Sequence, residues 1–354
     1  MRPSVGMTTL LRPLLILCGG LLLGTGVGIA AAGVVSRALP LEALYLIADR
    51  EGDFHIYALD VQRGLMPQVI EEAVSPSNLL LSPDGTRVIF FASKGTTSFD
   101  LVPYVMDWDG ANARPLPIDI RDPNELSWSP DGSQLAFTAA GEEGRDIYLM
   151  AADCLVNRSD CEGAIRQLTS DRVDNLNPSW SPDGRMIAYS ASQGSQFDLY
   201  VVDIADGQAR QLTTHPTDEL GPRWTPDGQS IQYTAYSRGL YASQYIIPAE
   251  GGVARPLMQG FSAAWSPDGR WLAYGRAGRL IRAAGGRTEE AEVLAEYPRG
   301  TRLWSLTWAP DGGELAYLVD LGGLSPQVYL LGQDGVPRRL TFDEAAYWSP
   351  AWWR

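Results

Sequence analysis

The chain has 354 residues, 45% of them hydrophobic, with 28 basic against 42 acidic side chains and a formal net charge of −14 at pH 7. With Lys94 as its single lysine it lacks the basic face that phosphate neutralisation requires, which excludes nucleic acid as a partner class. The same acidity favours solubility and, among ligands, cations.

The first element is apolar. Leu14 to Val35 carry no charge and are flanked by Arg2, Arg12 and Arg37. A helix of that length rises about 33 Å, enough to cross a hydrocarbon core of ~30 Å. Residues 1–38 are therefore expected to be a membrane anchor or signal segment, and residues 39–354 a separate domain. The arginines keep the N-terminal side in the cytoplasm. That makes a single-pass protein of the cell membrane whose domain is periplasmic or extracellular. The alternative is a secreted domain released by cleavage near Ala38, although the apolar run exceeds the usual ~7 to 15 residues of a signal. Cys18 follows Leu17 rather than a small residue, which argues against a lipidated cysteine.

Beyond residue 40 a phrase keeps returning. Leu-Ser-Pro-Asp-Gly stands at Leu81 to Gly85, and Trp-Ser-Pro-Asp-Gly begins at Trp128, Trp180 and Trp265. Variants begin at Trp224 (threonine for serine) and Trp308 (alanine for serine). The aspartates at 84, 131, 183, 227, 268 and 311 set a period of about 45 residues. One repeat reads most cleanly from Asn177 to Thr213. A short strand ends at Trp180, and Ser181-Pro-Asp-Gly turns, proline fixing φ and glycine tolerating a positive one. Alternating strands follow at Met186 to Ser190 and Asp198 to Asp203, then a short fourth at Ala209 to Thr213.

Four antiparallel strands per period form one propeller blade. Apolar pairs such as Leu135 with Phe137 and Ile187 with Tyr189 supply the stacking surface, and the tryptophans fill the gaps between blades. Leu44 to Asp49 and His55 to Asp60 read as second and third strands without a first; Tyr347 to Trp353 reads as a first strand alone. The expected fold is all-β: a seven-bladed propeller of four-stranded antiparallel sheets, closed by the two termini and preceded by one N-terminal transmembrane helix. Six blades is the alternative, because Pro103 interrupts a third strand.

These residues resemble the TolB propeller and the related propellers of tricorn and prolyl-oligopeptidase-type proteases, whose repeats share Trp-Ser-Pro-Asp-Gly, Ile-Ala-Tyr, Asp-Leu-Tyr-Val-Val-Asp and Gln-Leu-Thr. The resemblance covers nearly all of the chain after residue 40 and implies the fold. It implies little about activity, since the proteases carry a separate catalytic domain.

Chemistry-bearing motifs are sparse. His55 and His215 belong to different repeats, and Gly260-Phe-Ser-Ala-Ala264 lacks the second glycine of a nucleophile elbow. Asp107-Trp-Asp-Gly-Ala-Asn112 begins like a calcium loop but has no acidic residue at the twelfth position, so it reads as a turn. No catalytic, cofactor-binding or metal-ligating residue is assigned. Cys154 and Cys161 lie in an insertion relative to the next repeat, and in an exported domain they are expected to form a disulfide.

The loops are unequal. First and third connections are tight Pro-Asp-Gly and Asp-Gly turns; the second and fourth, on the opposite face, are longer, as at Gly95 to Phe99 and Asp171 to Asn177. Rigid scaffolds present binding residues on such loops. The candidate partner-binding set is Asp171, Arg172, Asp174, Asn175, Asp218, Glu219, Asp343 and Glu344. The expected function is a non-catalytic binding or scaffold module for a protein, a peptide or an envelope glycan. The alternative is a hydrolase or lyase with a carboxylate-based site in the propeller funnel.

Overall fold

A computed structural model describes residues 43–353, apart from 51–52, 71–75, 94–100, 117–125, 142–143, 156–164, 238–240, 261 and 323–324. The apolar run at 14–35, Cys18, Ala38, the Gly95–Phe99 loop and Cys161 lie outside the described residues.

The described chain forms seven antiparallel sheets, six of them four-stranded with neighbours in sequence order. Blade 1 comprises Pro76–Leu81, Arg87–Ser93, Leu101–Asp107 and Arg114–Pro115. Blade 2 comprises Leu126–Trp128, Gln134–Ala140, Arg145–Ala151 and Ile165–Gln167. Blade 3 comprises Asn175–Trp180, Met186–Gln193, Gln196–Asp203 and Ala209–Gln211, and blade 4 Asp218–Trp224, Ser230–Ser237, Tyr241–Pro248 and Arg255–Gln259. Blade 5 comprises Ala263–Trp265, Trp271–Arg276, Arg279–Ala284 and Glu292–Glu296, and blade 6 Arg302–Trp308, Leu315–Asp320, Gln327–Leu331 and Pro337–Arg339. In blade 7, Ala43–Arg50 pairs on one side with Asp53–Asp60 and on the other with Ala346–Trp353. First strands of successive blades touch at five of the seven seams, which makes them the inner ring of a seven-bladed propeller. The six-blade alternative is corrected: Pro103 sits inside a paired third strand opposite Phe91, and its carbonyl accepts from Leu116 N (2.8 Å).

The recurring phrase is a stitched turn. In blade 2, Ser129 Oγ donates to Asp131 Oδ1 (2.6 Å), Ser133 N donates to the same oxygen (3.0 Å), and Gln134 N donates to Ser129 Oγ (2.9 Å). The serine–aspartate bond recurs at Ser82–Asp84, Ser181–Asp183, Thr225–Asp227 and Ser266–Asp268. Where alanine replaces the hydroxyl, Asp311 keeps the backbone bond from Gly313 N (2.8 Å). Six aspartates are thereby spent on turns, each holding its first strand against its second.

The tryptophans join one blade to the one before. Nε1 of Trp180, Trp224, Trp308 and Trp352 donates to Ser127, Ser179, Ala264 and Thr307 O respectively, at 3.0–3.1 Å. Between them the pairs expected to stack are enclosed: Leu135, Ile187, Leu272, Leu315 and their partners Phe137, Tyr189, Tyr274 and Tyr317 are all buried. Second and third strands add facing rings, Phe137 with Tyr148 and Tyr233 with Tyr245, at centroid distances of 5.7 and 5.8 Å. Such pairs contribute roughly 0.5 to 1.5 kcal/mol beyond the area they bury.

A bulge interrupts the first strand of several blades. Asn78, Asn177, Gly221, Ser305 and Ser349 hold positive φ, and each coincides with a one-residue shift of register. Small polar residues and glycine are the types that tolerate this conformation. The shift decides which side chains at the start of the strand face the neighbouring blade.

Candidate functional site

The candidate residues fall at three of the crossings from a fourth strand to the next first strand, on the connection itself or, for Asn175, Asp218 and Glu219, at the start of the first strand. Asp171 to Asn175 join blades 2 and 3, Asp218 and Glu219 blades 3 and 4, and Asp343 and Glu344 blades 6 and 7. Thr169, Thr213 and Thr341 each stand two residues beyond a fourth strand, and the position six residues later holds Asn175, Glu219 and Tyr347. The three loops are copies of one another with different chemistry.

Part of the set fastens the loop face together. Asp174 Oδ1 accepts from Arg145 N (3.1 Å) and pairs with Arg145 Nε (3.5 Å), while Asp174 O accepts from Ser192 N (2.9 Å). At the copied position Asp218 Oδ1 accepts from Phe197 N (3.1 Å), and Gln196 Nε2 donates to His215 O (2.9 Å). Gly144 packs so closely on this loop that an added Cβ would lie 2.7 Å from Val173 O. Second connections are thus tied to the fourth connection of the same or the preceding blade. Asp171, Arg172, His215, Phe342, Asp343 and Glu344 stay exposed on this rim.

Asn175 and Glu219 instead point into the seams, 0% and 2% exposed. At the seam of blades 2 and 3, Asn175 Nδ2 donates to Asp171 Oδ1 (2.7 Å), and Thr169 Oγ1 donates to Asp146 Oδ1 (3.0 Å) while accepting from Ile147 N (2.9 Å). Burial, then the nearby Asp171 charge, raises the Asp146 carboxyl above the usual range.

At the seam of blades 6 and 7 the frame is the same and the ion pair different. Thr341 Oγ1 donates to Gln327 Oε1 (2.9 Å) and accepts from Val328 N (3.0 Å). Tyr347 Oη donates to Asp343 Oδ1 (2.6 Å), and Arg50 Nη2 donates to Asp343 Oδ2 (2.7 Å). The Arg50 guanidinium lies over the Tyr57 ring, 4.9 Å from its centroid. Burial, followed by the bond to Asp343, pushes the Tyr347 hydroxyl up to about 12.

The seam of blades 3 and 4 holds two buried carboxylates. Thr213 Oγ1 accepts from Leu199 N (2.9 Å) and Gln211 Nε2 donates to Asp198 Oδ2 (3.0 Å). The Thr213 and Tyr233 hydroxyls favour the charged form of Glu219. Asp198 Oδ1 and Glu219 Oε2 are buried without a partner. Burial first, then the Asp198 charge, pushes the Glu219 carboxyl up to about 7; burial also raises Asp198. Glu219 lines a cleft of about 580 Å³ between the blades, with Thr213, His215, Tyr233, Tyr245 and Ile247. Such a group can hold a proton near neutral pH or take up a positive charge. Sequence reading named Glu219 but missed Asp198, Tyr233 and Arg50; the Gln-Leu-Thr at 167–169 and 211–213 and the Arg-Leu-Thr at 339–341 are the signal that marks these three seams.

Cys154 is buried in a short 3-10 turn after the third strand of blade 2, and its expected partner lies outside the described residues. The Asp107–Asn112 segment is a turn, with Asp107 N donating to Ala111 O (2.9 Å) and Asn112 Nδ2 to Asp107 Oδ2 (2.6 Å). Among the described residues no helix is long and apolar enough to cross a membrane.

Known proteins share this architecture. The TolB beta propeller domain family matches residues 104–296. A TolB homolog of Chlorobium luteolum is 28% identical over 164 residues, 46% of this chain and 35% of that protein. An uncharacterized peptidase of Bacillus subtilis, YuxL, is 25% identical over 213 residues, 58% of this chain and 30% of the peptidase. The chain thus spans about a third of the length of these curated relatives. Among solved structures, a puromycin-hydrolyzing peptidase of Mycobacterium tuberculosis superposes with a TM-score of 0.61 at 16% identity, covering 84% of this chain and 53% of that one. A TolB-type protein of Agrobacterium tumefaciens gives 0.50 at 17% identity, covering 87% and 99%. At these identities the superpositions speak for the fold, while the match over more than half of the sequence establishes that the chain belongs to the TolB beta propeller domain family.

Proposed function

We propose that this chain is a membrane-anchored, extracytoplasmic propeller that acts as a non-catalytic binding or scaffold module for a protein, with peptide and envelope-glycan ligands as narrower forms of the same reading. The observation that carries it is the fastened rim: Asp174, Asp218 and Asp343 hold loops of neighbouring strands and blades together, leaving Asp171, Arg172, Phe342 and Glu344 exposed on a face already ordered before binding. A preorganised face avoids the cost of ordering loops on association. The uncharged run at 14–35 supports an anchor, and the pairing of Ala43–Arg50 with Ala346–Trp353 supports a ring closed by the two ends of the chain.

The test is crosslinking from native membranes with the full-length chain as bait, against a bait carrying Arg172→Glu and Glu344→Arg. These two are exposed. A protein captured by the first bait and lost with the second is the expected result. Equal capture by both baits overturns the assignment of the rim, and release of the chain from membranes by alkaline carbonate overturns the anchor.

A further inference from the structure

The seams of blades 6/7 and 3/4 are the same site filled in two ways. In blade 7, Ala48 pairs with Tyr347 and Leu46 with Tyr57; in blade 4, Ala235 pairs with Glu219 and Tyr233 with Tyr245. By this register Tyr245 corresponds to Tyr57, Glu219 to Tyr347, and Ser237 to Arg50. Both tyrosines face the preceding blade, Tyr57 in the apolar cluster shared with blade 6 and Tyr245 in the one shared with blade 3. In blade 7 the chain supplies its own cation: the Arg50 guanidinium covers Tyr57 and donates to Asp343. In blade 4 the tyrosine is kept and a carboxylate stands at the base, while the register position of the arginine holds Ser237.

We infer that the cleft between blades 3 and 4 is a receptor for an organic cation, a guanidinium or ammonium group on an apolar stem, held by Glu219 against the face of Tyr245. Three further observations carry it. Glu219 is 2% exposed, lines the cleft, and has an oxygen, Oε2, without a partner. Asp198 behind it adds a second negative charge, also with an unpartnered oxygen. The walls of the cleft, about 580 Å³, combine the rings of Tyr233 and Tyr245 and the apolar Ile247 and Val253 with the hydroxyls of Thr213 and Thr217 and the His215 ring, a mixed lining that suits an organic cation with an alkyl stem better than a hydrated metal ion. The site is on a seam and not on the exposed rim, so it stands whether or not the rim binds a protein.

The test is calorimetric titration of the full-length chain with N-acetyl-arginine methylamide, its neutral isostere N-acetyl-citrulline methylamide, and agmatine. The arginine probe is expected to saturate and to bind at least about tenfold more tightly than the citrulline probe. Agmatine binding as tightly identifies a free small cation as the source, and agmatine binding far more weakly identifies an arginine side chain of a peptide. Glu219→Gln keeps the shape of the base and is expected to lose about tenfold in affinity. Thermal melts establish that the variant is folded. Equal binding of the arginine and citrulline probes, unchanged affinity in folded Glu219→Gln, or no saturation by any millimolar probe overturns the proposal.

Discussion

Replacing Glu219 by glutamine is expected to stabilise the protein increasingly as pH rises from about 5 to about 7, with the full gain above that. The native carboxyl titrates at about 7 against an unfolded value of 4.5. Between those values the native state holds a proton that the unfolded chain has released, so stability falls as pH rises through this window and the penalty is complete above it. At about 1.4 kcal/mol per unit the ceiling is roughly 3 kcal/mol, and screening through the cleft reduces it to about 1 to 2 kcal/mol. Glutamine has nearly the same shape and carries no charge. The fold has already made this exchange elsewhere, since Asn175 at the copied position donates its amide to a carboxylate. Paired thermal melts of wild type and Glu219→Gln at about pH 5 and about pH 8 are the assay, with the variant melting roughly 2 to 4 °C higher at the upper pH and near parity at the lower. A difference that does not change with pH, or a variant less stable at the upper pH, would refute the claim that the charged form of buried Glu219 destabilises the native state.

Three other outcomes follow from the same contacts. Thr341→Val removes the acceptor of Val328 N and the donor to Gln327 at a buried seam, and should cost about 1 to 3 kcal/mol in urea unfolding. The carboxyls of Asp131, Asp183 and Asp268 are held below the usual range, first by the serine hydroxyl of their own turn and then by a backbone N–H. Their contribution is present above the unfolded carboxylate value, about 3.9, and is lost as pH falls through the lower native values, so the triple asparagine variant should lose less stability than wild type between about pH 5 and pH 3. If Cys154 and Cys161 form the expected disulfide, intact-mass analysis of the exported chain should show alkylation of both only after reduction, and alkylation without reductant would exclude it.

The blades were legible because the same sentence is written many times. Pro-Asp-Gly fixes a turn by backbone geometry and serine-aspartate bonding alone, and alternation on either side fixes the strands. The direction of Glu219 was not legible, and the reason is the bulge. Glu219 and Trp224 are five residues apart, which in a regular strand puts them on opposite faces. The extra residue at Gly221 restores them to one face, where Trp224 donates to Ser179 O across the same seam that Glu219 enters. Likewise the Arg50 ion pair joins residues 293 positions apart, a contact that only the pairing of the first described strand with the last creates.

A rigid repeat fold separates its two kinds of loop residue by a single register step. Asp174 and Asp218 precede Asn175 and Glu219, and each accepts a backbone N–H from a strand start, so their charge is consumed in fastening the rim. One residue on, the side chain turns into the seam, where asparagine, glutamate and tyrosine differ while the threonine six residues before them is constant. Divergence confined to that one position, with its frame preserved, changes the chemistry of a seam without changing the blade. In blade 7 the change is answered by Arg50 from the same chain; at Glu219 no lysine or arginine forms such a pair among the described residues, and Oε2 is buried without a hydrogen-bond partner at the seam of blades 3 and 4.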